Sequence, residues 1–220
     1  MSRALVIGAS GGIGAALADA LEAGGDDVVR LSRSADGLDV TDGDSVARVL
    51  GEVEGPFDLI LLATGILAPE GAEPEKALAR IDGPTMAQVM AVNAIGPALV
   101  LAQVPRLLDR DGAGKVGVIT ARVGSIGDNR LGGWHSYRAS KAAANMIVRG
   151  AAVELGRTHN RVTCVALHPG TVATRFTADY PGHRKVGPDE AAANLIAVMD
   201  RLEPEQTGGF FDYAGEPIPW

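Results

Sequence analysis

The sequence predicts an α/β fold, a single domain in which a mostly parallel, doubly wound sheet carries helices on both faces. Three observations predict it. Short apolar runs alternate with stretches of helical spacing along the whole chain. The first run, Leu5-Val6-Ile7, breaks into four glycines within seven positions, Gly8, Gly11, Gly12 and Gly14, and then resumes as the helix-like Ala15-Ala16-Leu17-Ala18. The run Phe57-Asp58-Leu59-Ile60-Leu61-Leu62-Ala63 has one interruption only, as a central parallel strand buried on both faces requires. With 220 residues, 46% hydrophobic and 21% charged, one large core is the natural expectation, and residues 1–220 read as one domain.

The opening segment reads as strand, tight turn and helix start. Glycine at Gly8 and Gly12 allows positive φ and close approach of a ligand, and the helix start presents unpaired N–H groups at a positive dipole end. That suits a pyrophosphate. The spacing differs from the strict G-x-G-x-x-G fingerprint, so a ligand-free glycine turn stands beside the nucleotide reading until the rest of the chain decides. The second strand, Asp27-Val28-Val29-Arg30-Leu31-Ser32, ends in Ser32-Arg33-Ser34, with no carboxylate until Asp36. An acid at this point selects NAD and an arginine accommodates the 2′-phosphate of NADP. We read Arg33 as that phosphate clamp, against the alternative of a solvated surface arginine.

Too few residues precede Asp39-Val40-Thr41-Asp42 for a crossover helix, so a third strand is expected as a stub at the sheet edge. Residues 44–54 have helical spacing, and the strand 57–63 ends in Thr64-Gly65 at the edge where doubly wound sheets bind ligands. Residues 67–84 read as a surface connection with one short helix. A long apolar helix follows over 84–108, with Asn93 in its middle; buried there, Asn93 must find partners or cost roughly 1–3 kcal/mol. The charge-free stretch 84–105 is long enough to span a membrane, but Gln88, Asn93, Gly96, Pro97 and Gln103 favour a buried helix or a subunit interface. Next come a strand over 115–121, a polar glycine-rich loop over 122–134, an alanine-rich helix over 137–157, a strand over 161–168 and the break Pro169-Gly170. A helix over 188–202 and a short strand over 210–213 precede the tail.

A net charge of −7, with no cluster of lysine or arginine, argues against nucleic acid and anionic membranes as partners and leaves small molecules. The lone cysteine, Cys164, lies in an apolar run and reads as a small buried hydrophobe. The first strand begins almost at Met1, which leaves no room for a signal peptide, so a cytoplasmic location is expected. His135, His159, His168 and His183 lack metal-ligand spacing, and no metal is expected; His135 reads as a rim residue. Trp134, Tyr180 and the loop 178–187 are expected to border an open substrate pocket.

Tyr137 and Lys141 stand at i and i+4 of one helix, on the same face and roughly 6 Å apart along its axis. A lysine beside a phenol favours the phenolate, and a phenol so tuned exchanges a proton with an alcohol or carbonyl near neutral pH. Together with the glycine turn, Asp39-Val40, mid-helix Asn93, Ala142-Ala143 after Lys141, and Pro169-Gly170-Thr171-Val172-x-Thr174, this pair resembles the short-chain dehydrogenase/reductase superfamily. The motifs span almost the whole chain in the family's order. The stretches Arg122-Val123-Gly124-Ser125-Ile126-Gly127 and Tyr137-Arg138-Ala139-Ser140-Lys141 and the ending Ile218-Pro219-Trp220 are similar to its C-factor-like and carbonyl-reductase-like group.

The resemblance implies a Rossmann-type sheet of seven strands with its third shortened, NADP(H) along the C-terminal edge with NAD(H) as the alternative, and a carbonyl or alcohol substrate. Tyr137 would be the general acid or base, Lys141 would hold the nicotinamide ribose and tune Tyr137, and Asn93 would shape a proton path behind Lys141. Cofactor contacts would come from Gly8, Ser10, Gly11, Gly12, Ile13, Gly14, Arg33, Asp39, Val40, Ala63, Thr64, Gly65, Tyr137, Lys141, Pro169, Gly170, Val172 and Thr174, with a substrate loop near residues 172–187. A homodimer or homotetramer packed through the helices around Asn93 and after Tyr137 is also implied.

Two departures stand out. The family's strand-end serine pair reads Thr120-Ala121 here, with Thr120 expected on the opposite face, so Ser125, 12 residues before Tyr137, is assigned the substrate hydrogen bond. The Asn-Asn-Ala-Gly turn reads Leu62-Ala63-Thr64-Gly65. The resulting expectation is an NADP(H)-dependent carbonyl reductase; its alternative is a catalytically weak or inactive NADP(H)-binding regulatory protein of the same fold.

Overall fold

The computed structural model describes residues 1–177 and 185–220; Tyr180, His183 and most of the expected pocket loop lie outside the described residues. Six strands form one sheet in the order β2-β1-β3-β4-β5-β6, every neighbouring pair parallel: β1 Arg3–Ile7, β2 Asp27–Leu31, β3 Leu59–Leu62, β4 Lys115–Ile119, β5 Thr163–His168 and β6 Phe210–Asp212. Alternate residues of β1 feed different layers. Leu5 and Ile7 face α3 (Gly43–Gly51), α5 (Gly96–Leu101) and α6 (His135–Thr158), while Ala4 and Val6 face α1 (Gly12–Ala23) and α7 (Pro188–Arg201). Both faces of the sheet are thus covered, which is why the strands carry so little polar sequence. Cys164 is fully buried in β5, and burial pushes its thiol up to about 12.

The sheet has six strands where seven were expected, because the stub at Asp39-Val40 does not form. The short helix α2, Arg33–Asp36, ends at Gly37 in the left-handed conformation, and Leu38 N–H turns back to the Ser32 carbonyl at 3.3 Å. So few residues cannot return the chain to the sheet edge as a parallel neighbour of β2. Leu38 and Val40 are buried all the same, as side chains in the core.

The expected long helix over 84–108 is also interrupted. It runs as α4 (Gly83–Met90), a π turn (Ala91–Ile95) and α5, followed by a 3-10 turn at Val104–Leu107. The stretch Gly83–Leu101 is long and apolar enough to cross a membrane by composition, yet α4, the π turn and α5 all pack on α6. The π turn centres on Asn93, which is fully buried. Such widened turns recur where a helix must re-aim its side chains.

Candidate active site

Strand order reverses between β1 and β3, and a cleft of about 450 Å3 opens at the carboxyl ends of those two strands. Doubly wound sheets bind ligands at such a reversal. Of the expected residues, Gly8, Ser10, Gly11, Arg33, Asp39, Val40, Ala63, Thr64 and Gly65 line it; Ser32, Leu38, Thr41, Ile66, Gln88, Ala91 and Val92 join them. Gln88 and Val92, one helical turn apart, present one face of α4 and the π turn to the cleft, a placement to which only the polar Gln88 in an apolar helix pointed.

The glycines serve different purposes. Gly8 has φ +92, and a Cβ there would meet the Ala63 backbone at 2.9 Å; Gly14 is closed to any side chain by the Gly8 carbonyl at 2.2 Å. Gly12 was expected at positive φ and is instead the first residue of α1, needed because Thr174 packs against it, with Thr174 Cγ2 2.6 Å from where a Cβ would stand. Gly11 caps α1 without a side-chain bond, and no acid occupies the first turn. The N–H groups of that turn face an uncompensated positive dipole end, which fits a pyrophosphate. Ile13 packs into the core from the edge of the α1–α7 layer.

Near Arg33, Asp36 and Asp39 each commit one carboxylate oxygen to the chain. Asp36 accepts the Ser32 N–H at 2.7 Å, and Asp39 accepts from Thr41 N–H and Oγ1 at 2.9 and 2.7 Å. Arg33 is exposed on the cleft wall and helps hold the Asp39 carboxyl below its usual range, behind the larger effect of the Thr41 bonds.

At the opposite end, Gly65 meets α6. A Cβ on Gly65 would lie 3.2 Å from Asn93 Oδ1 and 3.3 Å from Lys141 Nζ, so the bare glycine is what lets these groups converge there. Lys141 is 4% exposed; its ammonium donates to the Ile119 carbonyl at 3.3 Å and stands 5.8 Å from the Tyr137 ring centre. Burial draws the Lys141 pKa down to about 8. Burial also raises the Tyr137 phenol above its ordinary value, in the opposite sense to the expected lysine-depressed phenol. At this distance the ammonium does not offset desolvation, and the phenol keeps its proton.

Asn93 does not line a path with its amide. Its Nδ2 donates to the Ile66 carbonyl (2.8 Å) and to Ser140 Oγ (3.0 Å), and its Oδ1 accepts the Ile66 N–H (2.8 Å). Both amide protons are committed, which makes the side chain a clasp between the loop after β3 and α6.

Ser125 requires a correction. Its hydroxyl donates to the Pro219 carbonyl at 2.5 Å and accepts the Asp128 N–H at 3.0 Å. The single proton of the hydroxyl is spent on the tail, so it has none to give a substrate oxygen. Ser125→Ala is therefore expected to cost about 1 kcal/mol of stability in urea unfolding and to leave turnover within twofold. Thr120 is buried, its Oγ1 without a hydrogen-bond partner among the described residues, and Ala121 has no hydroxyl.

Pro169, Gly170, Val172 and Thr174 follow β5. Gly170 takes φ +79 against the Tyr213 ring, Val172 is bridged to Val186, and Thr174 N–H bonds the Val172 carbonyl at 2.9 Å. His168, at the end of β5, is held down to about 4 by burial, with Asp212 and Arg122 acting in opposite senses.

Two residues packed against the start of α6, Glu75 and Phe176, had no signature in the sequence. Glu75, 6% exposed, accepts from Ser136 N–H at 3.2 Å and from Ser136 Oγ, and its carbonyl accepts the Trp134 N–H at 2.5 Å. Burial raises its carboxyl, but these bonds, aided by His135, bring it below the usual range. Phe176 lies 5.6 Å from Tyr137, ring centre to ring centre. Trp134 takes φ 49 and ψ 45 after Gly132 and Gly133, both also left-handed. A tryptophan in that region costs of order 1–3 kcal/mol and persists only where its surroundings dictate it. Here Glu75 holds its N–H, and Arg138 Nε holds the Gly132 and Gly133 carbonyls at 3.1 and 3.0 Å.

Known proteins match this arrangement. The family model for short chain dehydrogenases matches residues 35–185, more than half of the chain. A 1-hydroxy-2-glutathionyl-2-methyl-3-butene dehydrogenase of Rhodococcus sp. strain AD45 is 36% identical across the full length of both chains. C-signal of Myxococcus xanthus is 36% identical over 76% of this chain and 94% of its own. Among solved structures, the NADPH-bound carbonyl reductase from chicken fatty liver superposes with a TM-score of 0.84 at 23% identity, covering 100% of this chain and 94% of that one. With a cleft at the strand reversal, a tyrosine and lysine one helical turn apart beside it, and these matches over most of its length, the chain belongs to the short-chain dehydrogenase/reductase family.

Proposed function

We propose that the protein is an NADP(H)-dependent reductase of ketones or aldehydes, and that the convergence of Lys141, Asn93 and Gly65 beside Tyr137 carries this reading. When bound, the reduced nicotinamide supplies the hydride. The residues present fit that cofactor: the glycine turn and the uncapped start of α1 suit its pyrophosphate, Asp39 and Val40 its adenine, and Gly65 and Lys141 its nicotinamide ribose. Val172 and Thr174 take the carboxamide. Tyr137, kept protonated by burial, gives its proton to the carbonyl oxygen as the alcohol forms. The buried Lys141 ammonium, 5.8 Å from the Tyr137 ring centre, limits the cost of the phenolate left behind.

The choice of NADP(H) rests on Arg33, exposed on the cleft wall directly after β2 where an acid would select NAD. Its support includes a fold neighbour described with NADPH bound. Arg33→Ala is expected to weaken NADPH binding about tenfold or more and NADH binding less than threefold, by fluorescence titration at fixed salt. Equal losses for both nucleotides would remove the clamp. Turnover of a carbonyl panel with NADPH tests the reaction itself.

A second reading is a nucleotide-binding protein with little catalysis. Ala121 stands where the family supplies a hydroxyl, and the Ser125 proton is committed to Pro219. Loss of one such donor costs about 10²–10³ in rate. NADPH binding without turnover of any carbonyl would favour it.

A further inference from the structure

We propose that Trp134 and Phe176, both packed edge-on against the Tyr137 ring, form an aromatic clamp that selects aryl ketones and aldehydes over small aliphatic and hydroxylated ones. The inference rests on the reading of Tyr137 as proton donor. Both rings meet the phenol ring edge-on, Trp134 at 6.2 Å and 70°, Phe176 at 5.6 Å and 60°. They arrive from separate segments with separate anchors. Trp134 ends the loop before α6 and is held in its left-handed backbone by Glu75 and Arg138. Phe176 sits in a 3-10 turn, Arg175–Thr177, which is fastened by Thr177 Oγ1 to the Val172 carbonyl at 2.6 Å and by Lys185 Nζ to the Thr177 carbonyl.

Trp134 is the one residue other than glycine with positive φ among the described residues. Retaining a bulky ring at a position where glycine would be unstrained, directly after two glycines, points to a use for the ring itself. A carbonyl compound presented to the Tyr137 hydroxyl lays its substituent alongside these two rings. A flat aryl group gains aromatic contact with both. A hydroxylated chain of similar size leaves its hydroxyls against ring carbon without partners, which weakens it.

The test compares kcat/KM for acetophenone, 2-butanone and hydroxyacetone with NADPH in the full chain, in Trp134→Gly and in Phe176→Ala. The ratio of acetophenone to 2-butanone is expected to exceed tenfold in the wild type and to fall three- to tenfold in each variant. Because it is a ratio, a smaller folded fraction does not move it. Trp134→Gly is expected to keep its unfolding midpoint, since glycine relieves the left-handed strain; a tryptophan needed only for packing would lower the midpoint and leave the ratio alone. A wild-type ratio near one, or a ratio unchanged in both variants, overturns the clamp. If the wild type reduces no carbonyl, the reductase reading fails separately, and calorimetric binding of acetophenone to the NADPH-loaded protein decides the clamp: affinity lost in both variants supports it, and no affinity in the wild type overturns it.

Discussion

Tyr137→Phe is expected to lower kcat for carbonyl reduction by about 10³-fold, within the range of 10²–10⁴ that general acid catalysis contributes, while NADPH affinity stays within twofold. The substitution removes one hydroxyl and keeps the ring. The edge contacts to Trp134 and Phe176 depend on the ring alone, and the backbone carbonyl that accepts the Ser140 hydroxyl at 2.8 Å is untouched. Folding should hardly change, so the loss reads the proton and not the packing. Steady-state kinetics beside a fluorescence titration separate the two. Retained turnover would show that the proton comes from another group and would overturn Tyr137 as the donor.

Lys141→Met should make the nucleotide-free protein more stable near neutral pH, by about 2 kcal/mol, while abolishing turnover. The sign follows from where the proton is bound. Burial lowers the folded pKa to about 8, whereas an unfolded lysine titrates near 10.4. Below pH 8 both states carry the proton and the folded state bears the full cost of a buried ammonium. Between the two values the unfolded chain binds more protons, so wild-type stability rises with pH across that window. The difference of roughly 2.4 pKa units corresponds to about 3 kcal/mol, reduced by about 1 for the lost bond to the Ile119 carbonyl. Urea unfolding of both proteins at pH 7, 8, 9 and 10 should show the advantage of Lys141→Met shrinking as pH rises. A variant less stable than wild type at every pH would mean that the ammonium earns its place by contacts stronger than its desolvation.

The two predictions concern one helical turn, and they explain why the site tolerates an unfavourable group. A buried lysine with one carbonyl partner destabilises the fold, and a left-handed tryptophan three residues before Tyr137 does the same. Both lie where the cleft meets α6. The proposed function calls for the phenol, the ammonium and the flanking rings in these positions, which fits unfavourable local structure there.

Much of this was legible in the order of residues. The glycines after β1, the uninterrupted β3 and the i, i+4 pair on α6 depend on backbone conformation and on periods of 2 and 3.6, which are local properties. They sufficed for an α/β sheet with a nucleotide-shaped turn and for the spacing of Tyr137 and Lys141. The family membership rested on their order along the chain.

What remained hidden is held by partners far apart in sequence. Ser125 gives its proton to Pro219, 94 residues away; Asn93 binds Ile66, 27 away, and Ser140, 47 away; Glu75 caps Ser136, 61 away. No periodicity records which of several acceptors a hydroxyl or amide will find, because that choice is made when the chain closes and each buried donor must be satisfied once. The edge strand at Asp39-Val40 is missing because the short connection after β2 cannot return the chain to the sheet edge, and the π turn coincides with the bonds of the Asn93 amide to Ile66 and Ser140; both depend on where distant segments lie in the closed fold.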